Sequence, residues 1–278
     1  MPPTPDKKGT GDLLISWLTV ERGDCPPPQD VLGPEELAYY AGLRMEKRKH
    51  DWLLGRTAAK RLVLRQLGVR GAALPLAAIR VVSEIDGSPR VVPAGLALAD
   101  LALCAELASL SISISHTEGR SLCAIRAAKS VAGGRLPVAA AIGADIERIL
   151  PRGRGFAVAY YTPAELALLS AAPIERYDTL STAIWSAKEA LLKFTRHGLR
   201  VDTRTVTCLP APPERDGWAP VAITTELTGV PVVGWWRIYG ECVITIAASV
   251  GRAGALGVEA LPRPRLSFAH EEEQCRTI

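Results

Sequence analysis

"PVAAAIGADIERIL" (137–150), read with "WSAKEALLK" (185–193), decides most of what this chain can be. The first stretch is an apolar run carrying two acids, Asp145 and Glu147, just after Gly143. In an extended strand side chains alternate faces, so both acids project side by side, which is costly unless a cation sits between them. The second stretch has helical spacing, with Trp185, Glu189 and Lys193 on one stripe. Together they offer three carboxylates for a hard divalent cation with a lysine beside it. Mg²⁺ takes oxygen ligands and completes its octahedron with phosphate oxygens and water, so the set suits gripping and cleaving a pyrophosphate. Each part also has a plainer reading. The strand acids alone fit a solvated edge paired with Arg148 or Lys188, and Glu189 with Lys193 fits a surface ion pair worth roughly a few tenths of a kcal/mol.

The chain has 278 residues, 48% hydrophobic and 22% charged, long and apolar enough to bury a sizeable core in one or two domains. A net charge of +4 is compatible with an anionic ligand or an acidic protein partner and too weak to argue for nucleic acid. Only 5% of residues are aromatic, with none interleaved among lysines and arginines as single-strand binding requires. The N-terminus "MPPTPDKKGTGD" has no apolar core of a signal peptide, and no apolar run reaches membrane-spanning length. A cytoplasmic protein, away from membranes, is the expectation. The six cysteines, Cys25, Cys104, Cys123, Cys208, Cys242 and Cys275, lack metal-ligand spacing and read as reduced thiols.

Along the chain, residues 1–10 and 22–30 are polar and proline-rich, and "LLISWLTV" (13–20) between them reads as a strand. A helical pattern runs from Pro34 to Leu67 with Gly68 as its cap. Strands are expected at 79–83, 111–115 and 122–126, the strict alternation in "SLSISISH" (109–116) marking a half-buried one. A Gly/Ala-rich seam over 127–136 precedes the acidic strand. The second half repeats the plan: a helix from Thr162-Pro163, a longer helix over 179–196 closed by Gly198, then strands near 202–208, 221–226, 234–239 and 243–250. "RTAAKRLVLRQLG" (56–68) and "SAKEALLKFTRHG" (186–198) match loosely as basic helices ending at glycine, a weak sign of internal duplication. From Arg252 onward there is no periodicity.

Three further groups stand out. His116, at a strand end between Ser115 and Thr117, fits either a phosphate donor or a plain loop histidine. Arg56 and Lys60, four apart on the first helix, fit either a polyanion contact or a solvated face. No nucleophile elbow, Walker A loop or dinucleotide fingerprint is present.

Taken in order, "LLGRTAAKRL" (53–62), "DGSPRV" (86–91), "SISISHTEG" (111–119), "GADIE" (143–147) and "WSAKEALLK" (185–193) resemble the signatures of the 4′-phosphopantetheinyl transferases. By length the chain is similar to the larger, monomeric, internally duplicated branch. The resemblance implies an α+β pseudo-dimer: two similar subdomains, each a small antiparallel sheet packed on a long helix, spanning 11–136 and 137–252, with flexible tails at 1–10 and 253–278. It implies Mg²⁺-dependent transfer of the phosphopantetheine arm of coenzyme A to a serine hydroxyl of an apo acyl or peptidyl carrier protein, releasing adenosine 3′,5′-bisphosphate. Asp145, Glu147 and Glu189 would be the metal ligands, Glu189 or a metal-bound water the base, and Lys193 the group on the pyrophosphate and leaving oxygen. Arg56, Lys60 and His116 would hold the 3′-phosphate end, with Ser115, Thr117 and Lys188 as further contacts. The carrier is expected to dock around Phe156–Leu169, with Glu165 in that segment at the surface.

Three departures from the pattern stand in this sequence: Ser88 replaces a lysine, with Arg90 nearby; Ala144 replaces a β-branched residue; Arg196 replaces a glycine. The chief alternative is a coenzyme A or nucleotide binding protein of the same fold without turnover.

Overall fold

The computed structural model describes residues 14–127, 141–213, 217–249 and 265–268. The expected seam, the boundary at 136, Cys275, the N-terminal segment and most of the tail lie outside them. The strands are β1 (Leu14–Glu21), β2 (Ile79–Ser83), β3 (Pro89–Pro93), β4 (Leu110–Thr117), β5 (Arg120–Ala127), β6 (Ile142–Arg148), β7 (Val206–Pro210), β8 (Ala219–Thr225), β9 (Val232–Tyr239), β10 (Cys242–Ser249) and β11 (Arg265–Phe268). The helices are α1 (Pro28–Val31), α2 (Pro34–Gly42), α3 (Glu46–Gln66), α4 (Val69–Ala72), α5 (Leu101–Ala108), α6 (Arg154–Tyr160), α7 (Pro163–Ala171) and α8 (Ile174–Phe194).

The fold is α+β, as expected. One sheet runs β11-β1-β5-β4, a second runs β6-β10-β9-β8-β7, and β2-β3 form a separate hairpin. Apart from the parallel β1–β11 pair, every pairing is antiparallel. Connectivity repeats: β1, α2, α3, the β2-β3 hairpin, β4 and β5 in the first half match β6, α7, α8, β7-β8, β9 and β10 in the second. Both long helices have 21 residues.

A buried ion pair recurs at the same place in each half. Lys60 and Lys188 occupy the same position along α3 and α8, and both side chains are fully buried. Lys188 Nζ lies 2.9 Å from Glu165 Oε2 and donates to the carbonyls of Thr203 (2.8 Å) and Val206 (2.6 Å). Lys60 pairs with Glu36 and donates to the Val31 carbonyl at 2.7 Å. Each glutamate sits at the third position of a proline-started helix and accepts the N–H of the residue before that proline, Gly33 or Thr162, and the Thr162 hydroxyl completes a capping box by accepting the Glu165 N–H. Each also accepts the backbone N–H of a strand's third residue, Val81 at 3.2 Å and Cys208 at 2.7 Å. Burying two charges is tolerable only with partners on all sides, and here every direction is filled.

This overturns three expectations. Lys60 and Lys188 are committed to internal pairs and do not face a ligand. Glu165 is fully buried, not at the surface. The long helical pattern from Pro34 is also two helices, because Leu43–Met45 break it and let α2 fold back to place Glu36 against α3. In the tail without periodicity, Arg265–Phe268 form an edge strand, since β1 offers an open row of backbone groups.

The halves share a core. Ile15, Trp17, Leu122 and Ala124 of the first sheet pack with Ile142, Ile146, Trp235 and Ile244 of the second. Trp17 meets Trp218 and Tyr239 edge-on, each at 5.9 Å between ring centres. The five described cysteines are free.

Truncating either buried lysine strands a glutamate in the core. Lys60→Ala and Lys188→Ala are each expected to lower unfolding stability by about 3–5 kcal/mol in urea titrations. Arg204→Ala, which breaks the exposed pair with Asp202, is expected to leave the urea midpoint unchanged.

Candidate active site

The site begins at Gly143. A methyl group there would sit 1.9 Å from the Ala190 carbonyl oxygen and 2.6 Å from the Phe194 nitrogen, so only glycine lets α8 lie this close to β6. Strand alternation puts Asp145 and Glu147 on the same face as Gly143 and sends Ala144 and Ile146 into the shared core. Glu189 and Lys193 on α8 therefore come up against the strand acids. Ala144, fully buried, fills its position without a β-branch.

Asp145 is almost completely buried. Its Oδ1 accepts from Ser115 Oγ and from Lys193 Nζ, both at 2.7 Å, while its Oδ2 is buried without a partner. Glu147 accepts from Trp185 Nε1 at 3.2 Å and from Arg152 at 2.9 Å. Burial and the Asp145 charge push its carboxyl above the usual range, against Arg152 and Trp185. Glu189 is pushed further, to about 7, first by burial, then by Asp145, with Lys193 pulling the other way and Glu147 adding to the rise. Among the described residues no three carboxylate, histidine or cysteine groups stand close enough to form a finished metal cage. The three acids crowd one another electrostatically, and Lys193 and Arg152 hold two of them.

Strand β4 supplies the opposite wall. Its serines do not face water. Ser111, Ser113 and Ser115 are buried, with Ser113 Oγ accepting the Ala144 N–H at 2.9 Å and Ser115 bound to Asp145. The polar stripe of β4 meets β6 of the other half, so the inter-half seam is hydrogen-bonded at the site.

His116 is half exposed at the end of β4, its Nδ1 4.0 Å from Asp51 Oδ2. Beside it a cavity of about 480 Å³ between the halves is lined by Arg22, Lys47, Asp51, Thr117, Arg120 and Arg148 among others. Arg56 lies away from this, its guanidinium 4.3 Å above the Trp52 ring and 4.0 Å from Glu36. A larger cavity of about 990 Å³ opens on the other side of β4, bounded by the β2-β3 hairpin, β4 and the end of α8, including Lys193. Arg90, the candidate replacement for the missing lysine at Ser88, pairs with Glu84 across the hairpin and lines this cavity.

The structure thus gathers Asp145, Glu147, Glu189, Lys193 and Ser115, sets His116 and Thr117 nearby, and removes Lys60 and Lys188. Arg152 and Lys47 were missed. Arg152 follows the acidic strand in a proline-glycine loop with no periodic signal, and Lys47 is one of several basic residues in "EKRK" (46–49).

The crowded acids make a stability prediction. A carboxyl raised to about 7 in the folded state binds its proton more tightly than in the unfolded chain. Its ionisation therefore destabilises the fold increasingly as pH rises from about 4.5 to 7. Glu189→Gln should stabilise the metal-free protein at pH 8 by about 1–2 kcal/mol, discounted for partial exposure, and change little at pH 4.5. Thermal melts at the two pH values test this.

Residues 141–217 match the family model described as the 4′-phosphopantetheinyl transferase superfamily. The fatty acid synthase subunit alpha of Schizosaccharomyces pombe is 43% identical over 70 residues, 24% of this chain and 4% of that protein's length. The chain thus spans only a small part of this curated relative. Among solved structures, the holo-ACP-synthase of Plasmodium yoelii is 20% identical with a TM-score of 0.34, covering 43% of this chain and 97% of that one. The Neisseria meningitidis holo-[acyl-carrier-protein] synthase is 23% identical with a TM-score of 0.34, covering 42% and 99%. The segment similar to the 4′-phosphopantetheinyl transferase superfamily contains Gly143, both strand acids, the whole of α8 and the β7 strand that receives Lys188.

Proposed function

We propose that this protein transfers the 4′-phosphopantetheine arm of coenzyme A to a serine hydroxyl of an apo acyl or peptidyl carrier protein, releasing adenosine 3′,5′-bisphosphate. The observation that carries the proposal is the set of three mutually repelling acids, with Lys193 against them, inside the segment that matches the family. As a working assignment the protein is a cytoplasmic monomer of the internally duplicated branch.

The donor set fits Mg²⁺. Asp145 keeps a buried oxygen without a partner, and burial beside like charge raises both Glu147 and Glu189, a strain that a divalent cation relieves. Asp145, Glu147 and Glu189 would hold the ion, which when bound supplies positive charge to screen the diphosphate. The chain's own groups do the rest. Glu189 would accept the serine proton as the hydroxyl oxygen attacks the β-phosphorus. The bond from that phosphorus to the adenylate oxygen breaks, and the electron pair leaves with the adenosine bisphosphate. Lys193, one helical turn from Glu189, neutralises the departing oxygen by hydrogen bonding. Ser115 orients Asp145 by its 2.7 Å bond. His116 and Thr117, with Lys47 in place of Lys60, form the anion-binding group at the end of β4.

The carrier surface is assigned to α6 and the start of α7. There Val158 and Tyr160 are exposed, and Phe156 and Tyr160 stack against Trp185, whose indole bonds Glu147. A partner seated on this aromatic patch stands next to the acids.

The test is to incubate the protein with apo carrier proteins, coenzyme A and Mg²⁺ and weigh the carriers. A gain of one phosphopantetheine arm is expected from wild type and none from Glu189→Ala, which should still bind coenzyme A in part. Binding of coenzyme A without any mass gain on several carriers would favour the binding-protein alternative. Independently of turnover, Mg²⁺ should raise the melting temperature of wild type at pH 8 and do so far less for Asp145→Asn.

A further inference from the structure

The two long helices end differently. After α3 the chain turns on Gly68, with φ +58°, and the Gly68 N–H bonds the Arg65 carbonyl. After α8 the corresponding residue is Arg196, also with a positive φ, +60°. Arg196 N bonds the Lys193 carbonyl at 3.1 Å and His197 N bonds the Leu192 carbonyl at 3.1 Å, a complete Schellman closure. The cap expected at Gly198 therefore falls two residues earlier, on a residue that strains the backbone. A side chain in this conformation is disfavoured relative to glycine, because its Cβ crowds the backbone. Such strain persists where the surrounding structure has a use for it.

That use lies in front of the side chain. Arg196 and Arg200 line the 990 Å³ cavity beside Lys193. Arg196 Nη1 lies 3.5 Å from Asp86 Oδ2 at the tip of the β2-β3 hairpin, and Arg200 Nη2 donates to the Arg196 carbonyl at 2.8 Å and to the Asp86 carbonyl at 3.4 Å. Asp86 is itself occupied by Ser88, which donates from its N–H at 2.9 Å and from its hydroxyl at 2.6 Å. A guanidinium has five N–H donors in a planar fork, more than one shared carboxylate can take. The hairpin therefore aims Arg196 over the cavity with donors to spare. Apolar Leu110, Ile112, Ile142 and Phe194 line part of the wall, and the acids Glu84 and Asp86 on the hairpin, paired with Arg90 and Arg196, line another part. An apolar floor rimmed by cations suits a base with phosphates attached.

We infer that Arg196 is a substrate-binding residue for the phosphates of the nucleotide half of coenzyme A, held in place by the Asp86 hairpin. This rests on the proposed transferase reading and extends it to a position where this sequence departs from the family pattern, an arginine in place of a glycine. Arg200 supports the loop and adds charge behind it.

Arg196→Gly is the informative substitution, because glycine adopts the positive φ of this turn without strain. Its melting temperature is expected to stay at or above that of wild type. Its affinity for coenzyme A, measured by calorimetry, should fall at least about tenfold, as for a lost hydrogen bond to a charged group. Affinity for 4′-phosphopantetheine, which lacks the nucleotide, should stay unchanged. Arg196→Lys should recover part of the coenzyme A affinity. Equal coenzyme A binding by wild type and Arg196→Gly would overturn the inference. So would an equal loss in Asp86→Ala, which leaves the guanidinium but frees the hairpin, since Arg196 would then act only as a latch. If wild type binds no coenzyme A, the transferase reading itself has failed, and the inference falls with it; if wild type modifies a carrier and the glycine variant binds coenzyme A normally, the inference alone has failed.

Discussion

Contact between β6 and α8 at Gly143 is the constraint on which the site depends. With no room for a methyl group between the strand and the Ala190 carbonyl, the helix lies against the strand and brings Glu189 and Lys193 within electrostatic reach of Asp145 and Glu147. Any larger residue would lift the helix away, and the carboxylates would regain separate hydration. Crowding the acids is unfavourable for the empty protein, and the raised Glu147 and Glu189 carboxyls are the signature of that cost. It becomes useful only with a cation and a polyanion in place.

Buried lysine–glutamate pins keep this geometry from relaxing. Lys188 ties α8 to α7 and to β7 through Glu165 and the strand carbonyls. In the first half Lys60 does the same for α3, α2 and β2. The repetition extends to the proline at the helix start, the N–H before it that the glutamate accepts and the strand N–H. The halves diverge where chemistry is needed: β1, the counterpart of β6, carries tryptophan and aliphatic residues and no acid before Glu21. One half holds the acids, and the other presents its β4 serines to them.

Much of this was legible beforehand, for identifiable reasons. Gly143, Asp145, Glu147, Glu189 and Lys193 stood out because strand and helix periods dictate which side chains share a face. The helix start at Thr162 was readable from threonine followed by proline. The same Pro-x-Glu pattern recurs in "GPEE" (33–36) and "TPAE" (162–165) ahead of each long helix, a signal that would have exposed the buried pins had the two segments been aligned. Lys60 and Lys188 were misjudged because a lysine on a helix looks the same in sequence whether it meets phosphate or a buried carboxylate. The cover over Ser111, Ser113 and Ser115 was not legible, because alternation reports two faces and not what packs on them.

Local order therefore determined the element types, the period that aligns the acids, the helix starts and the family signature, since these arise from steric and hydrogen-bonding rules acting over a few residues. Tertiary structure alone decided which charges were spent inside the protein and which were left for a ligand. That choice turns on burial and on partners distant in the chain: Glu36 for Lys60, Glu165 for Lys188, Ser115 and Lys193 for Asp145. It also decided that the α8 turn falls on Arg196, because the left-handed position is set by where the last helical hydrogen bonds close and not by where the next glycine happens to stand.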